Sequence, residues 1–547
     1  MSNPPSDDRY DDDFPDDTFG GDPADRASEE IDYDAAHQAG HDDGTDGYDG
    51  ADDDGADGTD GTVREADMAV IEAGSRTLRA TVAPPAPEDD VPGRPTDPEV
   101  DRELRAVEEE LFGRWPETKM EPSLVRISAL MDLLGDPQRA YPAIHITGTN
   151  GKTSTARMIE RLLLAFELRT GRYTSPHVQS VTERISLDGT PISAERFIET
   201  YRDLQPYIGL VDDGQPHRLS FFEVITAMAY AAFADAPVDV AVVEVGLGGS
   251  WDATNVVDGQ VAVVTPISLD HTDRLGGTTA EIAAEKAGIV KKDATAVFAQ
   301  QPADAAKVLL ERSAQVGATV AREGMEFGVV RREVAVGGQM LTLRGLGGVY
   351  EQVFLPLHGE HQAHNAVLAL AAVEAFFGIG REHERTLDVD TVRAAFASVT
   401  SPGRLEVVRR SPTVVLDAAH NPGGAQATAA AIGEVFGFTH LVGVVGPSGD
   451  KDVRGLLEAF EPVLAEVVVT SNSTPRSMDV DTLAALAVEV FGTDRVQVEP
   501  RLDDALEAAI TLAEDEGEYA GAGVLVTGSV VTVGEARLLL GRRRSGK

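Results

Sequence analysis

His145-Ile146-Thr147-Gly148-Thr149-Asn150-Gly151-Lys152-Thr153-Ser154-Thr155 is the stretch of this 547-residue chain that decides its fold class. The apolar run from Ala143 to Thr147 reads as a buried strand. Thr153 to Leu168 reads as a helix, with Met158, Ile159, Leu162 and Leu163 at helical spacing. Between them lies a turn of glycines and small polar residues. In this register the turn makes a phosphate cradle. Backbone N–H groups from Gly148 to Lys152 reach phosphate oxygens because no bulky side chain intervenes, and the helix N-terminus adds its positive dipole end. Lys152 adds a point charge, and the Thr153 hydroxyl reaches a metal ion. The common phosphate loop places four residues between its first Gly and the Gly-Lys pair. Here only Thr149 and Asn150 separate Gly148 from Gly151.

Working outward, Val238 to Val245 and Val261 to Thr265 are continuous apolar runs, as expected of parallel strands buried on both faces. Phe221 to Phe233 reads as a buried helix, and Val100 to Phe112 and a stretch ending at Leu134 as helices before the loop. Pro402-Gly403 follows a helix over Val392 to Val399 and marks a boundary near residue 400. Beyond it, Val414 to Leu416, Leu441 to Val445, Val467 to Thr470 and Val524 to Thr527 alternate with helical patterns, which predicts a second α/β domain. The expected division is a tail over 1–97, a domain carrying the phosphate loop over 98–400 and a C-terminal domain over 401–547.

Bulk properties narrow the class. The net charge is −45, but residues 1–99 hold 30 of the 92 acids and 6 of the 47 bases. That segment is rich in Asp, Gly, Ala and Pro and poor in aliphatics, so it cannot bury enough apolar surface to offset its chain entropy; it is expected to be a disordered acidic tail. Its Asp-Gly runs lack the twelfth-position Glu and flanking helices of a calcium hand. No basic stripe with interleaved aromatics suggests nucleic acid as a partner. Cysteine is absent, which excludes disulfides and thiolate chemistry. No signal peptide is visible, and the longest apolar run, Ala366 to Phe377, is broken by Glu374 and too short to span a bilayer. A cytoplasmic location is expected.

Several residues carry candidate chemistry. Glu244 ends a buried strand that runs into Gly246-Leu247-Gly248-Gly249, where a carboxylate holds Mg²⁺ in a phosphate-loop protein. His271, beside Asp270 after another strand, is a candidate metal ligand. Ser175, in Tyr173-Thr174-Ser175-Pro176-His177, is either a further metal contact or a plain turn residue. Lys286, among Glu281 and Glu285 in a helix, reads by itself as a solvated surface lysine. Asn365 either caps an apolar helix or meets a ligand. In Asp417-Ala418-Ala419-His420-Asn421-Pro422-Gly423-Gly424, Asp417 is placed to accept a ribose hydroxyl and His420 to meet phosphate or substrate; Arg404 is placed to reach across the cleft.

Taken in order, HITGTNGKTST, YTSPHVQSVTERI, FFEVITAMAY, VVEVGLGGSWDATN, SLDHTDRLG, EKAGIV, GRLE and LDAAHNPGG make residues 100 to 547 resemble the folylpolyglutamate synthase/dihydrofolate synthase family of the Mur-ligase superfamily. The resemblance implies a Mur-ligase-like P-loop ATPase domain followed by a smaller Rossmann-like α/β domain. It implies ATP and two Mg²⁺ ions, and as substrates L-glutamate with dihydropteroate or a reduced folate, handled by a monomer without nucleic-acid or membrane partners. Thr149, Asn150, Gly151, Lys152 and Thr153 would hold the ATP phosphates, with Asn365, Arg404 and Asp417 on the nucleotide. Ser175 and Glu244 match a first magnesium site and His271 a second. Lys286 matches a lysine carbamylated in the family, which reverses the surface reading. Lys152, His271, Lys286 and His420 are the expected catalytic residues. The pterin candidates are Met120, Glu121, Pro122, Ser220, Phe221, Phe222, Glu223, Trp251, Asp252 and Ala253. The family pattern also differs here: Arg274-Leu275-Gly276-Gly277 stands where an aromatic-Leu-Gly-Asp string is usual, and the acidic tail has no counterpart. Two alternatives are a cell-wall Mur ligase, which has a folded UDP-sugar domain before its phosphate loop, and a non-catalytic nucleotide-binding regulator.

Overall fold

The computed structural model describes residues 97–116, 122–380, 385–515 and 521–545. Residues 1–96, on which the expectation of a disordered tail falls, lie outside them.

The first sheet holds β1 (Ala143–Thr147), β2 (Thr170–Tyr173), β3 (Ile185–Leu187), β4 (Thr190–Pro191), β5 (Val240–Glu244), β6 (Gly259–Val264), β7 (Thr295–Phe298) and β8 (Thr319–Arg322). Their order is β4-β3-β2-β5-β1-β6-β7-β8. Neighbours from β2 to β8 are parallel, and β3 and β4 add an antiparallel edge. Every residue of β1 and β5 is buried, which is why both are apolar almost without a break. The chain turns to opposite sides of β1, so the carboxyl ends of β1, β5 and β6 form a switch-point crevice. The phosphate loop, Glu244 and the segment leading to His271 all leave the sheet there.

The phosphate-loop helix spans Lys152–Ala165. It stops short of the expected Leu168 because Glu167 takes a left-handed φ of 62°. Its apolar face, with Ile159 and Leu162, packs in one core cluster with Val367 and Leu370 of the Glu360–Phe376 helix. Asn365 is not the cap of that helix. The helix begins after Gly359, so Asn365 falls in its second turn, buried, with Nδ2 donating to Gln362 Oε1 (3.2 Å).

A three-stranded antiparallel sheet was not anticipated: β9 (Gly328–Ala335), β10 (Gly338–Arg344) and β11 (Val349–Leu355), in the order β11-β10-β9. Its first strand contains Arg331, Arg332 and Glu333 and is mostly exposed, so no alternation of apolar residues announces it.

The last sheet contains β12 (Glu406–Arg410), β13 (Thr413–Leu416), β14 (His440–Val445), β15 (Glu466–Val469), β16 (Val496–Val498) and β17 (Ala522–Thr527). Its order is β12-β13-β17-β14-β15-β16, parallel except for β12. The four strands expected from apolar runs are all present. The two outer strands, β12 and β16, escaped notice because edge strands are short and half-polar. Helices packed on both faces give two apolar layers, one with Leu456 and Phe460, the other with Leu506 and Ile510. No helix among the described residues is long and apolar enough to cross a membrane.

Candidate active site

Gly148 and Gly151 shape the loop that everything else surrounds. Gly148 has φ 143°, and a Cβ there would lie 1.9 Å from Thr265 Oγ1 and 2.9 Å from the Thr265 carbonyl oxygen. Gly151, at φ 90°, ends the loop and starts the helix; a Cβ there would meet Asn365 Oδ1 at 2.5 Å. Asn365 therefore buttresses the loop from below. Gly148→Ala is expected to destabilise the first domain by roughly 2–4 kcal/mol, through backbone strain and overpacking together. A fall in thermal midpoint with loss of nucleotide binding would register it; an unchanged midpoint would contradict the packing argument.

The loop borders a cavity of about 520 Å³, a size suited to a nucleotide-sized ligand. One wall carries Thr149, Asn150, Lys152, Thr153, Ser175 and Glu244; the facing wall carries Arg404, Asp417 and His420. His271, Lys286 and Asn365 also line it. These residues come from both large sheets, so the cavity lies between the two α/β halves.

On the loop side the polar groups are already oriented. Lys152 Nζ donates to the carbonyls of Gly148 and Thr149, both at 3.1 Å. Burial pulls its ammonium below the usual lysine value, and Glu244 and Asp270 partly offset this. Thr153 Oγ1 sits 2.9 and 3.0 Å from the two Glu244 oxygens, and Glu244 also accepts the Ser175 backbone N–H. Burial raises the Glu244 carboxyl, while Lys152 and Thr153 pull it back. Oxygens of Thr153 and Glu244 thus meet at one edge of the loop, with Ser175 beside them on the cavity wall, a set that fits Mg²⁺ completed by phosphate and water.

Lys286 is not a surface lysine. Only 4% of it is exposed, and its Nζ donates to Gly148 O at 2.8 Å. It ends the Thr279–Lys286 helix, which turns this side chain toward the loop while Glu281 of the same helix faces outward and Glu285 is half-buried. Burial, then the Lys152 charge, lowers its ammonium to about 7.

Opposite lies a polar cluster that joins the two halves. Lys451 Nζ donates to Asp270 Oδ1 (2.7 Å) and to His271 Nε2 (2.8 Å). The lone pair of His271 Nε2 therefore already faces a cation, which fits a metal-ligand role with Lys451 as stand-in. Burial and Lys451 lower His271 to about 4. Burial would raise the Asp270 carboxyl, but Lys451, His271 and His420 outweigh it and hold it well below the usual range. Asn421 Nδ2 reaches Asn150 Oδ1 and Asp270 Oδ2, each at 3.1 Å, and its Oδ1 caps the Pro422–Val435 helix at Gly424 N. His420 Nδ1 donates to Ala418 O (2.9 Å), so its Nε2 keeps a free lone pair; burial and Lys451 lower this ring to about 4 as well. Asp417 accepts from Leu405 N, Ala419 N and Thr428 Oγ1.

Lys451 and Asn421 were not singled out from sequence. Asn421 stands inside a quoted motif, but Lys451 lies in Gly449-Asp450-Lys451-Asp452, which reads as an ordinary charged turn.

The pterin candidates are placed elsewhere. Met120 and Glu121 lie outside the described residues, and Pro122 is exposed. Ser220 and Glu223 form a reciprocal cap on the Phe221–Asp235 helix, and Glu223 pairs with Arg126 Nε at 3.1 Å. Phe221 stacks on Phe112 at 5.2 Å between ring centres, and Phe222 packs on the Gly246 backbone. Trp251 is half-buried beside Gly248. Asp252 has no exposed surface; its carboxylate accepts Leu247 N and Thr254 N and so shapes the glycine turn. Ala253 is buried beneath it. None of the described candidates, Pro122, Ser220 to Glu223 and Trp251 to Ala253, is on the wall of the 520 Å³ cavity.

Comparison with known proteins matches this arrangement. A family model described as the Mur ligase middle domain covers residues 146–373, and one described as the Mur ligase, glutamate ligase domain covers residues 403–530. The dihydrofolate synthase/folylpolyglutamate synthase of Mycobacterium tuberculosis is 57% identical over 461 residues, 80% of this chain and 94% of that protein. The chain belongs to the dihydrofolate synthase/folylpolyglutamate synthase family. Crystal structures agree with that membership. The folylpolyglutamate synthase of M. tuberculosis, solved with ADP and AMPPCP, superposes with a TM-score of 0.77 at 56% identity, covering 81% of this chain and 99% of that one. The folylpolyglutamate synthase of Thermotoga maritima gives a TM-score of 0.68 at 31% identity, covering 81% and 97%. The fold is thus the two-part Mur-ligase arrangement.

Proposed function

We propose that this protein is an ATP-dependent ligase that joins L-glutamate to dihydropteroate, to the glutamate tail of a reduced folate, or to both, through an acyl phosphate. The observation that carries the reading is the cavity in which Lys152, Thr153 and Glu244 of one half face Arg404, Asp417 and His420 of the other. Family membership supports the substrate class.

A carboxylate is a poor electrophile because oxide would have to leave. Transfer of the ATP γ-phosphoryl group to its oxygen makes phosphate the leaving group. Asn365, Arg404 and Asp417 hold the nucleotide, Thr149 to Gly151 direct backbone N–H groups at its phosphates, and the Lys152 ammonium faces the transferring group. Thr153, Ser175 and Glu244 would hold one Mg²⁺, and His271 with a carbamylated Lys286 a second; the ions would neutralise charge on the phosphates. His420, with Nδ1 donating to Ala418 O, lines the cavity where the glutamate amine would meet the acyl phosphate, and the glutamate ammonium gives its proton to solvent before attack. The freed amine attacks the acyl carbon, and phosphate leaves as the amide forms. Residues 98–400 and 401–547 act as two bodies whose closure brings these groups together. The enzyme works as a cytoplasmic monomer on small molecules, with no nucleic-acid or membrane partner.

The test is phosphate release from purified protein with ATP and L-glutamate, given dihydropteroate, a tetrahydrofolate or a muropeptide precursor as acceptor. Release with either pterin acceptor is expected. Release with the muropeptide alone would transfer the protein to the cell-wall ligases, and release with none would favour a non-catalytic nucleotide binder.

A further inference from the structure

One turn beyond Thr153, the phosphate-loop helix carries a second cation, Arg157. Among the described residues it has no hydrogen bond and no ion pair, although Glu160 on the same helix keeps a buried Oε1 without a partner. Burial, with the nearby Arg172 charge, pulls its guanidinium down to about 9. Arg157 lines a small side cavity that shares Thr153, Pro176, Arg404 and Val530 with the main one.

The groups facing this side cavity are largely donors. Arg404 donates to Gly403 O at 3.2 Å, leaving most of its fork without a partner among the described residues. His177 Nδ1 accepts from Arg184 Nε at 3.0 Å, which puts the proton of the neutral ring on Nε2. Thr174 Oγ1 accepts from Arg172 Nη1 at 2.9 Å, so its own hydrogen is free to donate elsewhere. The carboxylate on this wall, Glu183, already accepts the backbone N–H groups of Val178, Gln179 and Ser180. An anion placed here would meet two guanidinium groups and a Glu183 whose oxygens are already engaged, with Glu160 and Glu244 acting on Arg157 from outside the side cavity.

Size and position select the anion. The space is about 30 Å³. A single water needs about 10–15 Å³ on this measure. The side cavity therefore takes a carboxylate, not a sugar or a base. It opens at Thr153, where the acyl phosphate would form, so a carboxylate held here leaves the rest of its molecule in the main cavity. The other cations there are engaged: Lys152 and Lys286 with loop carbonyls, Lys451 with Asp270.

We propose that Arg157, with Arg404 at the mouth, is a subsite for a glutamyl carboxylate, either on the incoming L-glutamate or on the glutamate tail of the acceptor. The assignment rests on the ligase reading above and adds to it a residue that holds the amino-acid end of the reaction.

The experiment compares wild type with Arg157→Gln and Arg157→Lys. Steady-state KM is measured for ATP, for L-glutamate, and for acceptors bearing one or three glutamates. Calorimetry measures L-glutamate binding to the protein loaded with a non-hydrolysable ATP analogue. In Arg157→Gln, KM for L-glutamate is expected to rise about 30-fold with KM for ATP unchanged, and Arg157→Lys to recover part of it. A rise confined to the triglutamate acceptor would assign the subsite to the tail instead. Because the guanidinium makes no hydrogen bond and is drawn to Glu160, Glu183 and Glu244 only through space, the thermal midpoint should change little. Unchanged KM values for both glutamate sources, or a uniform rise that follows a lowered thermal midpoint, would overturn the proposal. Wild-type protein that binds L-glutamate through Arg157 yet shows no turnover would refute the ligase reading and leave the subsite standing.

Discussion

Lys286→Ala is expected to lower ATP- and glutamate-dependent turnover by roughly 10³-fold, the scale seen when a placed charge is removed from an active site. The reason lies in where the amine sits. It is buried against the Gly148 carbonyl, and its ammonium is lowered to about 7 by burial and by Lys152. Near neutral pH a large fraction is therefore free amine, whose nitrogen lone pair can attack CO₂ carbon and, on losing a proton, become an N-carboxylate. That change replaces a cation that would repel metal ions by an anion that holds one. Two further results are expected. Small carboxylates such as formate or acetate should restore part of the activity of Lys286→Ala by filling the vacated volume with the same charge. In wild type, removal of dissolved CO₂ should lower activity most at and above pH 7, where the free amine reacts; below pH 7 the protonated amine no longer reacts and activity should already be low. Full activity in Lys286→Ala would remove the carbamate from the mechanism.

Lys152→Ala is expected to reduce turnover by a similar factor, roughly 10³-fold, with little change in thermal midpoint. Lys152 Nζ donates to two carbonyls of its own loop, so the ammonium is held over the position a phosphate would take. Burial also pulls its ammonium below the usual lysine value, and a bound triphosphate would raise it again. Lys152→Arg should not recover activity, since a planar fork does not fit where a compact ammonium bonds two adjacent carbonyls. Single-turnover rates with saturating ATP separate the two roles. A defect that vanished at high ATP would mean that Lys152 only binds nucleotide and does not assist transfer.

How much of this was legible in the residues differs from element to element. β1, β5 and the four inner strands of the last sheet (β13, β14, β15 and β17) are near-continuous apolar runs because they are buried on both faces, and such runs need no partner to be recognised. The meander β9–β11 has a charged, exposed first strand and left no pattern. The phosphate loop was legible to the residue, since only glycine tolerates φ 143° against Thr265. Asn365 was misjudged as a possible cap because its helix begins five residues earlier, at Glu360. Lys451 was passed over because charge in a Gly-Asp-Lys-Asp turn looks solvated, and only its approach to Asp270 and His271 makes it part of the site.

The amino-acid sequence by itself determined the fold class, the phosphate loop and the set of motifs, because these depend on local periodicity, on glycine geometry and on residues close in the chain. Only the tertiary structure decided which charges are buried and what they face. Lys286 lies on a helix among glutamates and Arg157 on one with Glu160 and Arg161 close by, and nothing local separates either from a surface cation. The first is pressed against Gly148 by a crossover of more than a hundred residues, and the second borders a cavity closed by Arg404 from beyond the domain boundary. Desolvation and long-range contact, which no short window of sequence contains, turn these two side chains into candidates for chemistry.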